Sequence, residues 1–184
     1  MGIQKGNTGF PRIKYGAGLV KPGMTNKGKG ILNHHIGGKG LSGGGQMIHS
    51  GTITISTKGF SDILDITHHV DAVTDRSGVK NGLVTVFCPG STGSVTTIEY
   101  ESGVLRDLQK VIEKIAPSNI PYEHDKRWGD GNGFSHVRAA LMKPSLTIPL
   151  IKGKLALGTW QQIVFIDFDN RRRERNLIVQ IMGE

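Results

Sequence analysis

The composition of the chain changes abruptly at Met47, and this break decides which part can form a folded domain. Residues 1–46 hold seven of the 23 basic residues, none of the 15 acidic residues and 14 of the 27 glycines. They also lack the periodic apolar spacing that buries enough surface to offset the entropy of ordering a backbone. The sequence therefore predicts a flexible basic tail over 1–46 and a single folded domain over 47–184.

The net charge of +8 belongs almost entirely to that tail, because without its seven basic residues 16 basic and 15 acidic residues remain. A nearly neutral domain lacks the electrostatic footprint of a nucleic-acid-binding domain, so nucleic acid is expected as a partner only through the tail. The single cysteine, Cys88, excludes an intramolecular disulfide. No apolar run approaches the roughly 18 residues of a membrane helix. We expect a cytoplasmic protein without membrane contact.

The pattern of residues 47–184 predicts an α+β fold, mainly an antiparallel β-sheet or sandwich with two to three helices. One helix ends near Gly78, and a short helix lies around 135–142. An amphipathic helix over 103–116 ends before Pro117, and its apolar face comprises Val104, Leu105, Leu108, Val111, Ile112 and Ile115. Strands are predicted over 52–57, 82–88, 94–100, 145–151, 158–168 and 175–183.

The segment 122-YEHDKRWGDGNGFSH-136 concentrates ligand-type residues in what the sequence predicts to be one flexible loop. Imidazoles with a carboxylate suit zinc, whereas carboxylates with an amide suit magnesium. His136 is also a candidate general acid or base. The alternative is a surface loop whose Asp and Asn residues cap turns. The candidate metal ligands are His124, Asp125, Asp130 and His136, and the candidate ligand-binding residues are Asn132 and Ser135.

Three further segments have both a functional and a structural interpretation. In 89-PGSTGSVTTIE-99, Ser91, Thr92 and the backbone N–H groups form either a phosphate nest or a β-hairpin turn, and Glu99 would complete the metal site. Trp160 and Gln161 lie on a predicted strand, where they either bind a heteroaromatic ring or belong to the core. In 171-RRRER-175, alternating arginines either hold phosphate or form a solvated rim.

The run 145-SLTIPLIKGKLALGTWQQI-163 resembles the signature segment of the YjbQ family, in which Gly-Thr-Trp-Gln follows a glycine by four residues. The segments 122-YEHD-125, 135-SH-136 and 183-GE-184 resemble the family in the same order. The resemblance covers roughly 47–184 and omits the tail.

The resemblance implies a small α+β fold dominated by antiparallel sheet, a homotrimer, and a weak, secondary thiamine-phosphate synthase activity. That reaction joins a pyrimidine diphosphate to a thiazole phosphate, and it requires a divalent cation, magnesium or zinc, and donors for phosphate oxygens. It implies that Asp125, Asp130 and Glu99 hold the cation, that Ser91 and Thr92 hold phosphate, and that Trp160 faces a ring. The alternative is a non-catalytic protein that binds a small ligand or metal in the same pocket.

The sequence departs from the family pattern at two positions. Gly90 stands where many relatives have histidine, and Ile98 stands where they have asparagine, whereas Glu99 is retained. The expected pocket therefore has only the imidazoles of His124 and His136. Together with Glu99, these are the candidate catalytic residues, and their side chains are expected to converge.

Overall fold

The computed structural model of the chain describes residues 47–184. The predicted tail, and with it the expected contact with nucleic acid, lies outside the described residues. Within 47–184, no helix is long and apolar enough to cross a membrane.

Eight strands and four helices form the described part of the chain. The helices are α1 (Thr67–Ser77), α2 (Ser102–Ile115), α3 (Glu123–Trp128) and α4 (Gly133–Met142). The strands are β1 (Met47–Thr57), β2 (Asp62–Asp65), β3 (Gly82–Phe87), β4 (Gly93–Ile98), β5 (Ser145–Ile151), β6 (Lys154–Leu155), β7 (Gln162–Asp167) and β8 (Arg173–Gly183).

The strands form two antiparallel sheets, which confirms the predicted α+β class. A large sheet has the order β1-β8-β3-β5-β6, and a small sheet has the order β2-β7-β4. The longest pairing joins β1 to β8, from Met47 opposite Gly183 to Thr57 opposite Arg173. The additional helix is α3, in the segment for which the sequence predicts a loop.

The core lies on both sides of the small sheet. One cluster joins its strands to the large sheet and α1, and it contains Phe165 together with Val84, Val179 and Val70. The other places Ile166 and Phe168 under α2 and α4. Strand β7 is consequently buried on both faces, and its residues form the unbroken apolar run Ile163–Ile166 without alternation.

The segment between β3 and β4 crosses from the large sheet to the small one, so the predicted hairpin turn is wrong. Cys88 N–H donates to the carbonyl of Pro144, and Phe168 N–H donates to the carbonyl of Thr92. These bonds hold residues 88–92 between the end of α4 and the end of β7. The crossover therefore brings Gly90 and Ser91 beside α4.

Helix α2 leaves much of its predicted apolar face uncovered. Ile112 is buried, and Leu105 and Leu108 pack partly against the second cluster. Val111 and Ile115 are 49% and 64% exposed, so the predicted apolar face is only partly buried.

The N-terminus of α2 gives a pH-dependent prediction. The Glu101 carboxylate accepts hydrogen bonds from the N–H groups of Gly103 at 2.7 Å and Val104 at 3.1 Å. These bonds, the Gly103 bond foremost, lower the pKa of Glu101 below its ordinary value of 4.5. A carboxyl group whose pKa is lower in the folded state stabilises the fold at pH values above its unfolded-state pKa. That stabilisation disappears as the pH falls through the folded-state pKa.

We expect Glu101→Gln to lower the Tm at pH 7, with the difference from wild type shrinking below pH 4.5. Thermal unfolding followed by circular dichroism at pH 7 and at acidic pH checks this, with the exposed Asp107→Asn as control. A Tm difference that stays constant with pH would contradict the capping role.

Candidate functional site

The segment 122–136 is largely helical, which corrects the prediction of one flexible loop. Gly129 ends α3 in the left-handed conformation with φ 68°, and Gly131 also has a positive φ. Helix α4 then begins at Gly133, which packs so closely on Tyr122 that a Cβ there would lie 2.4 Å from the Tyr122 Cβ. The ligand-type side chains therefore stand on two packed helices and the turn between them.

His124, Asp125 and Asp130 form a compact group of potential metal ligands. One ligand atom from each lies within 4.8 Å of the others. His124 Nδ1 lies 3.6 Å from Asp125 Oδ1 and 3.4 Å from Asp130 Oδ1, and it forms a hydrogen bond with neither. Ligand atoms about 2.1 Å from a tetrahedral zinc ion are roughly 3.4 Å apart. The spacing and the donor types therefore fit a divalent cation.

The polar atoms of this group are only partly used by the protein. The side chain of His124 is 30% exposed, yet its Nδ1 is buried and has no hydrogen-bond partner within 47–184. Asp125 Oδ1 accepts from the N–H of Gly133 at 2.8 Å, which fixes the carboxylate against the start of α4. Asp130 Oδ1 accepts from the N–H of Asn132 at 3.3 Å.

His136 joins the group as a neighbour of His124. Their ring centroids are 4.4 Å apart with an interplanar angle of 36°. This tilted contact places His136 beside His124, Asp125 and Asp130. The ring nitrogens of His136 are not part of that ligand group. His136 also lines a cavity of about 250 Å³ with Gly90, Ser91 and Gly93, so the crossover segment faces the same region.

A polar cleft of about 390 Å³ adjoins the metal-ligand group. Asp130 belongs to both, because its side chain also lines the cleft. Asn170 closes one side by donating from Nδ2 to the carbonyl of Asp130 at 2.8 Å. The cleft is lined by Asp130, Asn132, Asn170, Arg171 and Arg173.

Below the cleft lies a buried charge network that sequence reasoning missed. Asp167 and Asp169 are 0% and 1% exposed. Arg175 donates to both oxygens of Asp167, at 2.7 and 2.8 Å, and Arg173 donates through Nε to Asp169 at 2.8 Å. The available signal was the pair of acids in 167-DFD-169 directly before alternating arginines. Arg173 and Arg175 lie on the inner face of β8, as the alternation predicts, and both contact Asp169. Arg171 precedes the strand and is exposed.

Two predicted phosphate or ligand hydroxyls are engaged inside the protein. Thr92 is buried, donates to Asp169 and accepts from Arg175. Ser135 is fully buried, and its hydroxyl donates to the carbonyl of Phe168. Ser91 is exposed and remains at the cavity beside His136.

The structure does not bring Glu99 to this group. Gly93 at the start of β4 pairs with Asp167, whereas Ile98 pairs with Gln162 at the other end of β7. The six residue-to-residue steps from Gly93 to Glu99 span roughly 20 Å of extended chain. The expected convergence of Glu99 with His124 and His136 is therefore not observed.

Trp160 and Gln161 also lie at this far end, in a turn before β7, so the prediction that they lie on a strand is wrong. Trp160 is 70% exposed and does not belong to the core. Gln161 Oε1 accepts from the N–H of Gly158 at 2.8 Å, closing the turn.

Comparison with known proteins identifies the family. Residues 51–184 match the family described as UPF0047 protein YjbQ-like. The chain belongs to this family. A UPF0047 protein of Archaeoglobus fulgidus is 36% identical over 126 residues, which cover 68% of this chain and 96% of the relative. The resemblance to the YjbQ family is thereby confirmed.

Solved YjbQ-like structures share the fold. A YbjQ-like protein of unknown function from Sulfolobus solfataricus P2 has a TM-score of 0.72 at 30% identity, covering 76% of this chain and 100% of its own. An uncharacterised conserved YjbQ/UPF0047 protein from Clostridium acetobutylicum has a TM-score of 0.65 at 36% identity, covering 71% and 98%. These descriptions name no substrate, so the function of this YjbQ-like chain is argued from its own residues.

Proposed function

We propose that the chain binds a divalent cation through His124, Asp125 and Asp130 and holds a small phosphorylated ligand beside it. The observation that carries the proposal is the position of Asp130, which belongs both to the ligand group and to the arginine-lined cleft. A ligand phosphate in the cleft would thus lie next to the cation. Two carboxylates and a neutral imidazole match the charge of zinc or magnesium.

The cationic side of the cleft favours an anionic ligand. Arg173 is 32% exposed and held by buried Asp169, so its guanidinium keeps one orientation. Arg171 makes no side-chain hydrogen bond or ion pair with any residue in 47–184, so its guanidinium is available to a ligand. Planar guanidinium groups bind phosphate oxygens in a bidentate fashion.

The reaction we propose is a weak thiamine-phosphate synthase activity, in which a pyrimidine diphosphate and a thiazole phosphate are joined and pyrophosphate is released. A bound cation would neutralise charge on the leaving group. Arg171 and Arg173 would bind and orient phosphate oxygens. His136, adjacent to His124, would hold a proton near the released group.

A non-catalytic role in binding the same ligand is the second candidate. It is favoured by the positions of Glu99, at the far end of β4, and of Thr92, whose hydroxyl serves the buried network. Both candidates place the ligand in the same cleft. We further propose a cytoplasmic location, since Cys88 has no cysteine partner in the chain.

An assay of thiamine phosphate formation from the two precursors with magnesium separates the candidates. We expect slow product formation that EDTA abolishes and that Arg171→Gln lowers about tenfold, through the loss of a charge-assisted contact to phosphate. Arg106→Gln, on α2, is the control. If no product forms while the precursors still bind, the chain is a binding protein and not a transferase.

We also propose assembly into a homotrimer through the outer face of the large sheet. Leu83 pairs with Met182, and Phe87 pairs with Ile178, in adjacent strands. These four side chains are 39–48% exposed and lie on one face as two apolar pairs, with the Thr85–Gln180 pair between them. Exposed apolar side chains grouped on one face and bordered by polar residues are typical of an interaction surface.

Sedimentation equilibrium is expected to give about 60 kDa for the wild type, three times the 19.9 kDa chain. Leu83→Lys combined with Ile178→Lys is expected to give monomers, because charges in the apolar centre of an interface are costly. Val111→Lys, on exposed α2, is the control for a surface apolar-to-charge change. A wild-type monomer would contradict the assembly.

A further inference from the structure

The cavity of about 250 Å³ that His136 lines lies beside the candidate metal ligands. The ring of His136 contacts the ring of His124, with the two centroids 4.4 Å apart. One imidazole ring therefore separates the ligand atoms of the metal group from the cavity. A molecule bound to the cation can extend into the cavity through a short linker.

The lining of this cavity is predominantly apolar. It consists of Gly90, Ser91, Gly93, His136, Ala139, Ala140 and Pro144. No aspartate, glutamate, lysine or arginine among residues 47–184 belongs to it. The carbonyl groups of Ala139 and Pro144 already accept hydrogen bonds, from the Ser94 hydroxyl and the Cys88 N–H respectively. Apart from the Ser91 hydroxyl and the His136 ring, the side chains of the lining offer only apolar surface.

The charged group behind the cavity is compensated within the protein. A Cβ at Gly90 would lie 3.6 Å from Arg175 Nη1. The guanidinium of Arg175 contacts the carboxylates of Asp167 and Asp169 at 2.7 and 3.4 Å. Its charge is therefore neutralised by buried acids, and the cavity does not favour a charged group.

The polar cleft beside Asp130 has the opposite character. Its guanidinium groups belong to Arg171 and Arg173, and Asp169 balances the charge of Arg173. Arg171 and a divalent cation would then carry three positive charges against the two negative charges of Asp125 and Asp130. The cleft with its cation thus favours an anion, whereas the cavity favours an apolar group.

We infer that the ligand is a phosphomonoester whose organic part is a compact apolar group about the size of a six-membered ring, and that this group occupies the cavity beside His136. An apolar cavity of about 150 Å³ is sufficient to bind benzene, so the cavity has room for such a ring. The inference rests on the proposed function for the cation and the phosphate, and on the cavity for the apolar group. It distinguishes arylalkyl phosphates from inorganic phosphate and from small alkyl phosphates.

Benzyl phosphate and methyl phosphate are the matched probes, since they differ by one phenyl ring. Each is titrated into the full chain with magnesium, and binding is followed by calorimetry at a pH at which both phosphates are dianions. We expect benzyl phosphate to bind about tenfold more tightly, the value for roughly 60 Å² of apolar surface removed from water.

Ala140 is an exposed residue of α4 that lines the cavity, so Ala140→Leu fills the cavity without adding bulk to the core. Leucine is a strong helix former, and α4 is expected to persist. This variant should bind benzyl phosphate no more tightly than methyl phosphate, with its affinity for methyl phosphate unchanged. Ala140→Ser keeps the cavity open and should retain the preference. Ala156→Leu, the same substitution at an exposed position outside the cavity, should behave like the wild type.

Equal wild-type affinity for the two probes would overturn the inference and leave the cation and phosphate site intact. Undetectable binding of both probes would overturn the proposed function and the inference with it. A preference for benzyl phosphate that persists in Ala140→Leu would show that the ring binds elsewhere and would overturn the role of the cavity.

Discussion

Replacing Arg175 by methionine is expected to lower the free energy of unfolding by about 3–5 kcal/mol, the usual effect of leaving a buried charge without its partner. Arg175 donates to both oxygens of Asp167, whose side chain is 0% exposed. Burial by itself lowers the pKa of Arg175, but the hydrogen bond and charge of Asp167, and then the charge of Asp169, raise it above its ordinary value. The guanidinium therefore stays charged throughout the range in which the protein would be studied.

Equilibrium unfolding in guanidinium chloride at neutral pH measures this loss in the free energy of unfolding. Arg172→Met, an exposed arginine of the same turn, is the matched control and should change the free energy of unfolding little. The double variant Asp167→Asn/Arg175→Met should recover part of the loss, because it removes the unpaired charge. If Arg175→Met lowers the free energy of unfolding by less than about 1 kcal/mol, the Arg175–Asp167 pair contributes no more than a weak surface ion pair. That result would contradict the buried network.

Gly90→His is expected to raise the affinity for zinc about tenfold, because zinc sites gain stability with each added imidazole ligand. Gly90 lines the same cavity as His136, whose ring contacts His124. A Cβ at Gly90 would meet only Arg175 Nη1 at 3.6 Å and Cys88 Sγ at 3.9 Å, both ordinary van der Waals distances. The position therefore accepts a side chain.

Competition with a fluorescent zinc chelator measures the change, with Gly90→Phe as a control that fills the same space without a donor atom. The expected order of affinity is Gly90→His above wild type, and Gly90→Phe equal to wild type or below it. Equal affinity in Gly90→His and Gly90→Phe would show that position 90 does not face the cation.

The local pattern of apolar and turn-forming residues was sufficient to predict many of the helices and strands. The 3.6-residue period of 103–116 and Pro117 predicted α2 to within one residue at each end. The prediction of a strand over 145–151 agrees with β5, and the Gly-Thr-Trp-Gln run identified the family. These features depend on neighbouring residues, which a single sequence displays.

The remaining differences depend on tertiary contacts. Helix α3 has only six mostly charged residues, and its place is fixed by the packing of Gly133 on Tyr122. Strand β7 is buried on both faces, so its pattern does not reveal that β4 pairs with it and belongs to the small sheet.

The candidate site was predicted in part. His124, Asp125 and Asp130 come together because they lie on the short helix α3 and in the turn that follows it. Glu99 is near Ser91 in sequence, but an extended strand carries it away from the site. Asp167 and Asp169 were missed because a buried acid in a strand is recognised only through its partner, here Arg175 or Arg173.

The central claim, a cation held by His124, Asp125 and Asp130, is tested most directly by metal content. The full chain is equilibrated with zinc, freed of excess metal by gel filtration and measured by mass spectrometry of the metal. We predict one zinc ion per chain in the wild type and in His69→Ala, an exposed histidine of α1, and almost none in His124→Ala or Asp130→Asn. Equal zinc content in all four proteins would contradict the site.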